Sequence, residues 1–226
     1  DIAALALLSL LPQAYLLTMF YRVHLATALA LAAVDLLALT LPTALLRRKR
    51  ISLAAQPLAN LPVPVVLLAS SIYALAAHAS FLTWAPAHLA AHFVGLRDIS
   101  FAHDAQFPHL VAWFLPLGVA AGAFVYLPAA AAAAPGAGDA AAGMYSPAME
   151  KWWERLVRKY WTRLAPRTKV IVKRTAAVVV VGGGKSWLHT WAMLEGVDAF
   201  GAAGYIGIFE LGALVTGIVY WWVGNA

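Results

Sequence analysis

TAAVVVVGGGKSWLHTWAML, residues 175–194, is an apolar stretch of membrane-crossing length with one charge, Lys185, near its centre. A charged side chain at bilayer depth costs about 2.5–3.5 kcal/mol on insertion scales, so it faces a partner group or a water-filled cavity. The stretch therefore reads as a transmembrane helix inside a bundle, with Lys185 as a candidate functional residue. The plainer reading is a packing ion pair, or a lysine that snorkels to the interface.

The rest of the chain agrees with a membrane setting. Of the 226 residues 63% are hydrophobic and 12% charged, with mean hydropathy +0.77; soluble domains carry about 25% charge. There is no cysteine, which excludes disulfides, thiolate metal sites and cysteine nucleophiles. A net charge of +6 could suggest nucleic acid, but four of the 16 basic residues lie at 47–50 and nine at 151–174. Two juxtamembrane blocks speak for topology and anionic lipid, with no nucleic-acid partner. No cleavable signal peptide is evident, and an opening Asp1-Ile2 is what a chain numbered from inside a longer precursor would show.

Hydropathy predicts six spans: 2–20, 25–46, one opened by Pro62 and Pro64 and running to Trp84, 109–127, 175–194 and 199–223. Each approaches the ~20 residues needed for a hydrocarbon core of ~30 Å. Residues 1–128 thus hold four spans, with a polar, histidine-rich segment at 86–108. An Ala/Gly tract at 129–145 reads as a flexible linker, and 166–226 hold the last two spans. Between them Ser146 and Pro147 mark a helix start. Met149, Trp152, Trp153, Leu156, Val157, Tyr160 and Leu164 recur at helical spacing, against a face of Glu150, Lys151, Glu154, Arg155, Arg158, Lys159 and Arg163. An amphipathic helix over 146–165 is expected in the headgroup plane, binding lipid through Trp152, Trp153, Arg155, Arg158 and Lys159. Six spans put both basic blocks on one side, so both termini are expected in the cytosol, or in the matrix of a mitochondrion.

Within the spans, Asp35, Lys185 and Glu210 each lie near a helix centre, and His189 follows Lys185 by one turn on the same face. Buried charges seek partners or protons, so a Lys185 pair with Asp35 or Glu210 is the simplest expectation. These four form the candidate ion or solute pathway, with a polar clasp between helices as the alternative. The neighbouring glycines, Gly182–Gly184 and those of the last span, point to close helix packing. The run ending in Gly184-Lys185-Ser186 is no phosphate loop, because Val179 stands where the pattern needs glycine.

His88 and His92 at i,i+4, with His103 and Asp104 beyond, are the candidate metal ligands, and His109 lies just past them. The alternative is an interfacial turn that dips Leu89, Phe93 and Leu96 into lipid. No Gly-x-Ser-x-Gly elbow or nucleophile-base spacing appears, and no cofactor is implied.

The expectation is an all-α polytopic bundle of about six transmembrane helices with one cytosolic-side amphipathic helix. The favoured function is a small channel or carrier for an ion, proton or small anionic solute. A non-catalytic scaffold or complex subunit that binds lipid, a partner or a second copy is the alternative, and a membrane enzyme using the histidine segment is third.

Overall fold

The computed structural model describes residues 2–46, 60–96, 99–100, 106–133, 161 and 164–224. Regular structure within them is helical, and five helices are long and apolar enough to cross a membrane. Trp152, Trp153, Arg155, Arg158, Lys159, His103, Asp104 and the basic block at 47–50 lie outside the described residues.

Helices α1 (Ile2–Met19) and α2 (Leu25–Leu46) form a hairpin closed at Arg22, whose φ of 54° is left-handed, and by the Val23 N–H on the Leu17 carbonyl at 2.9 Å. Pro62 and Pro64 open α3 (Val63–Leu82), where a fixed φ and a missing donor cost nothing. A short α4 (Ala85–His92) follows.

The expected fourth span, 109–127, is displaced. Its first residues belong to α5 (Phe107–Trp113), which ends at Phe114 (φ −93°, ψ 7°). Pro116, with no N–H to give the preceding turn, opens α6 (Leu115–Ala121). A π turn at Gly122–Tyr126 and α7 (Leu127–Ala132) complete a crossing segment from Leu115 to Ala132. The Ala/Gly tract therefore begins as helix rather than linker, as alanine's helix propensity dictates. Pro128 leaves the Phe124 carbonyl without its helical donor, and Arg174 Nη1 donates to that carbonyl at 2.7 Å.

The stretch 175–194 is helical but not uniform. It joins the end of α8 (Pro166–Ala177), a π turn at Val178–Gly183 and α9 (Gly184–Met193) in one rod. Last comes α10 (Ala199–Val223), capped by Asp198.

α3 packs on α6 and α10, α1 on α6 and α2, and the α8–α9 rod between α1 and α10. Tyr15, Phe20, Phe81, Phe114, Tyr205 and Phe209 fill the centre, and the Tyr205 hydroxyl donates to the Pro12 carbonyl at 2.7 Å. Glycines set the closest approaches: a Cβ at Gly118 would strike the Val66 carbonyl, and one at Gly212 the Tyr73 ring. Leu89 and Phe93 are 1% and 5% exposed, so α4 turns its apolar face into the protein core rather than outward into lipid. α2 is peripheral, held by α1, with Leu29, Leu31, Val34, Leu37 and Leu41 exposed. The 20–24 hairpin, α4 and the 194–198 loop share one end of the bundle, joined by Val94 N–H on the Gly196 carbonyl; Arg167 reaches the Gly224 carbonyl at the other.

Candidate functional site: a cavity between helices

The best-formed polar site starts on α1. Ser9 and Gln13, four residues apart, present one polar face of an otherwise apolar helix toward the α8–α9 rod. Ser186 Oγ donates to the Ser9 carbonyl at 2.7 Å, and Gln13 Nε2 donates to the Ser186 carbonyl at 3.1 Å. That second bond fixes the amide: nitrogen toward Ser186, Oε1 toward His189. Oε1 has no proton, so His189 Nδ1 must donate to it.

The consequence falls on the other ring nitrogen. His189 Nε2 lies 3.7 Å from Asp35 Oδ2 on α2. In a neutral ring both atoms are acceptors, and the gap exceeds a hydrogen bond. With the ring protonated, Nε2 becomes a donor toward the carboxylate.

This pair opens into a cavity of about 260 Å³ between α1, α2 and α9. Gln13, Asp35, His189 and Thr190 are its polar lining, and Leu10, Leu17, Leu31, Val34 and Met193 contribute to an apolar wall. Thr190 Oγ1 is buried with no hydrogen-bond partner. Counting helical rise from the 20–24 and 194–198 turns, the site lies roughly 8–15 Å inside that end of the bundle.

Two of the four expected pathway residues, Asp35 and His189, meet here; the other two stand apart. Lys185 does not line the cavity, and its Nζ is buried without a hydrogen-bond partner, so the expected direct pair with Asp35 or Glu210 is not formed. Asp35 is still the carboxylate that acts on it electrostatically. Glu210 approaches the rod from α10, where a Cβ on Gly183 would collide with its carboxyl group; its Oε2 is also unpartnered. Thus Gly183 makes room for Glu210. Gln13 and Thr190 escape a hydropathy reading because neither carries charge; the Ser9/Gln13 spacing was the available signal.

The histidine segment forms a second, separate cluster. The His88 and His92 rings lie tilted against each other, centroids 4.7 Å apart, over the start of α10. His92 Nδ1 is 2.8 Å from Asp198 Oδ2, and His88 Nε2 is 3.3 Å from the Gly201 carbonyl. Among the described residues no set of three or more His, Cys, Asp or Glu is arranged to hold a metal ion. The cluster ties α4 to the start of α10 through a partner, Asp198, that lies far away in sequence.

Asp198 caps α10 by accepting from the Gly201 N–H at 2.5 Å. That bond, and then the one to His92, hold its carboxyl below the ordinary 3.8. A lowered acid contributes stability above its ordinary pKa and loses it as pH falls through the lowered value. Asparagine can still cap without charge. Asp198→Asn should therefore melt below the parent near neutral pH, with the gap closing as pH drops under 3.8. A gap independent of pH in thermal melts would remove the charge from this account.

Comparison with protein-family models, with curated proteins and with solved structures finds no match to this chain.

Proposed function

We propose that this chain is a small multi-pass membrane carrier that moves a proton, alone or with a solute, through the cavity between α1, α2 and α9. The observation that carries the reading is the gap between His189 Nε2 and Asp35 Oδ2, two groups that are both acceptors while the ring is neutral. A cavity reaching that gap gives the proton somewhere to come from. His189 exchanges the proton, Asp35 holds the charge, Gln13 fixes the tautomer, and Lys185, one turn from His189 on α9, balances Asp35. In this reading 175–194 is a sixth span, both termini face the side that carries the basic residues, and 146–165 lies on that surface.

An anionic solute is less well served, because the polar lining includes an acid and no fixed cation.

The test is proton movement in proteoliposomes carrying an internal pH dye, under an imposed pH step. The parent chain should dissipate the step faster than empty vesicles, and Asp35→Asn and His189→Gln should each bring the rate close to that of empty vesicles. A second reading rests on the peripheral α2, whose outward leucines would then cover a partner subunit or a second copy. Folded parent protein that moves no protons would sink the carrier and leave that scaffold reading standing.

A further inference from the structure

Building on the carrier reading, we infer that the same cavity binds a small organic ammonium ion with an apolar body.

The groups facing the cavity decide the class of ligand. Gln13 is spent, its amide nitrogen on Ser186 and its oxygen on His189. What remains is the Asp35 carboxylate, His189 Nε2 and Thr190 Oγ1. The first two are acceptors while the ring is neutral, and the threonine hydroxyl can accept as well. A ligand that satisfies all three must bring several N–H donors on one atom and no acceptor of its own, which describes an alkylammonium group. It would also bring the positive charge that Asp35 lacks in direct contact. A carboxylate or phosphate would meet Asp35 with like charge, and an alcohol can give one proton to one of the three.

Size and wall chemistry agree. The cavity, about 260 Å³, lies just under the usual range for ligand sites, which suits a ligand of few atoms. Leu10, Leu17, Leu31, Val34 and Met193 would surround a short aliphatic or aromatic body while the nitrogen lies against the polar side. α2 packs closely on α1 and has little contact with α9, and the lining residues Leu31, Val34 and Met193 are exposed, so an amphiphile could come laterally between α2 and α9. The ammonium would stand where the carrier reading puts its proton, so the two species compete for one place.

Phenethylamine is a suitable probe, with phenethyl alcohol and phenylacetate as neutral and anionic counterparts of similar shape. Binding is measured by calorimetry on the full chain in a neutral detergent, with empty micelles subtracted. Saturable binding of the amine is expected, with the alcohol and the acid at least about tenfold weaker. Asp35→Asn should weaken the amine about tenfold or more and leave the alcohol unchanged, whereas Asp35→Glu should keep most of the affinity. Ala32→Trp, at a half-buried lining position that bears no charge, should fill the cavity and remove binding of all three.

If Asp35→Asn proves unstable, Thr190→Val serves in its place and should weaken the amine alone. Equal affinity for amine and alcohol, or an amine affinity indifferent to both Asp35 and Thr190, would overturn the proposal. Its failure is separable from that of the carrier reading. Proton movement that depends on Asp35 but is not slowed by the amine rejects the ligand and keeps the carrier. Saturable, Asp35-dependent amine binding without proton movement rejects the carrier and keeps the site.

Discussion

Gly118→Val is expected to abolish recovery of folded protein, while Gly207→Val, the same change on another crossing helix, is expected to be nearly silent. A Cβ at Gly118 would meet the Ser70 side chain, the Val66 carbonyl and the Ser70 amide nitrogen, so backbone as well as side chain blocks it. A flexible side chain could rotate away; the turn of α3 beneath it cannot. Forcing extra atoms into a packed interior costs typically about 1–3 kcal/mol, and more when whole helices must separate. Here α6 would be pushed off α3, which also carries α10. At Gly207 a Cβ meets nothing within 4 Å. Both substitutions exchange glycine for a β-branched residue in a helix, so the propensity change is matched and the difference reports packing alone. Size-exclusion profiles and thermal unfolding in detergent read it out, with Gly118→Ala expected between the extremes. Similar unfolding temperatures for Gly118→Val and Gly207→Val would show that α3 and α6 do not approach so closely.

Gly118 also marks where sequence reading stopped short. Gly118 and Gly122 have the four-residue spacing of close-packed membrane helices, yet the glycines that draw attention in the sequence are the triplet beside Lys185 and those of the last span. Hydropathy recovers α1, α2, α3 and α10 because each is a long apolar run with polar ends. It misplaces the fourth crossing because apolar content says nothing of Pro116, which starts a new helix inside the run. It cannot see the π turn at Val178–Gly183, since one extra residue in a turn leaves composition unchanged. That turn nonetheless alters which side of the rod each later residue faces, including His189.

The candidate site was legible in proportion to charge. Asp35 and His189 stand out in apolar runs, but Gln13, which sets the histidine tautomer, is neutral and contacts it across 176 positions. Asp198 was equally hidden, as an ordinary loop acid until α4 folds against it. Lys185 was visible, but the direct pair expected of it does not form, because helix-centre position gives depth without giving rotation about the helix axis.

Lys185→Met should leave the protein at least as stable as the parent while cutting proton movement at least about tenfold, the equivalent of about 1.4 kcal/mol at the limiting barrier. The first half follows from the burial of Nζ without a hydrogen-bond partner. Methionine has similar length and no charge to desolvate, and an uncompensated buried ion is costlier than an apolar replacement. A clasp would behave oppositely: removing one arm of a buried pair leaves the other unpaired, and such losses run to about 3–5 kcal/mol. The second half follows from the influence between Lys185 and Asp35, since a fixed cation one turn from the gap supports a negative carboxylate there. Without it the carboxylate is a poorer counter-charge for a proton arriving at His189. Pairing the change with Asp35→Asn completes the cycle, because both charges are then absent. That double mutant should be folded and stable but inactive, for it lacks the carboxylate that holds the counter-charge when His189 takes its proton. Loss of stability in Lys185→Met, with both stability and proton movement restored in the double mutant, would instead establish the two residues as a structural clasp and refute their place in the pathway.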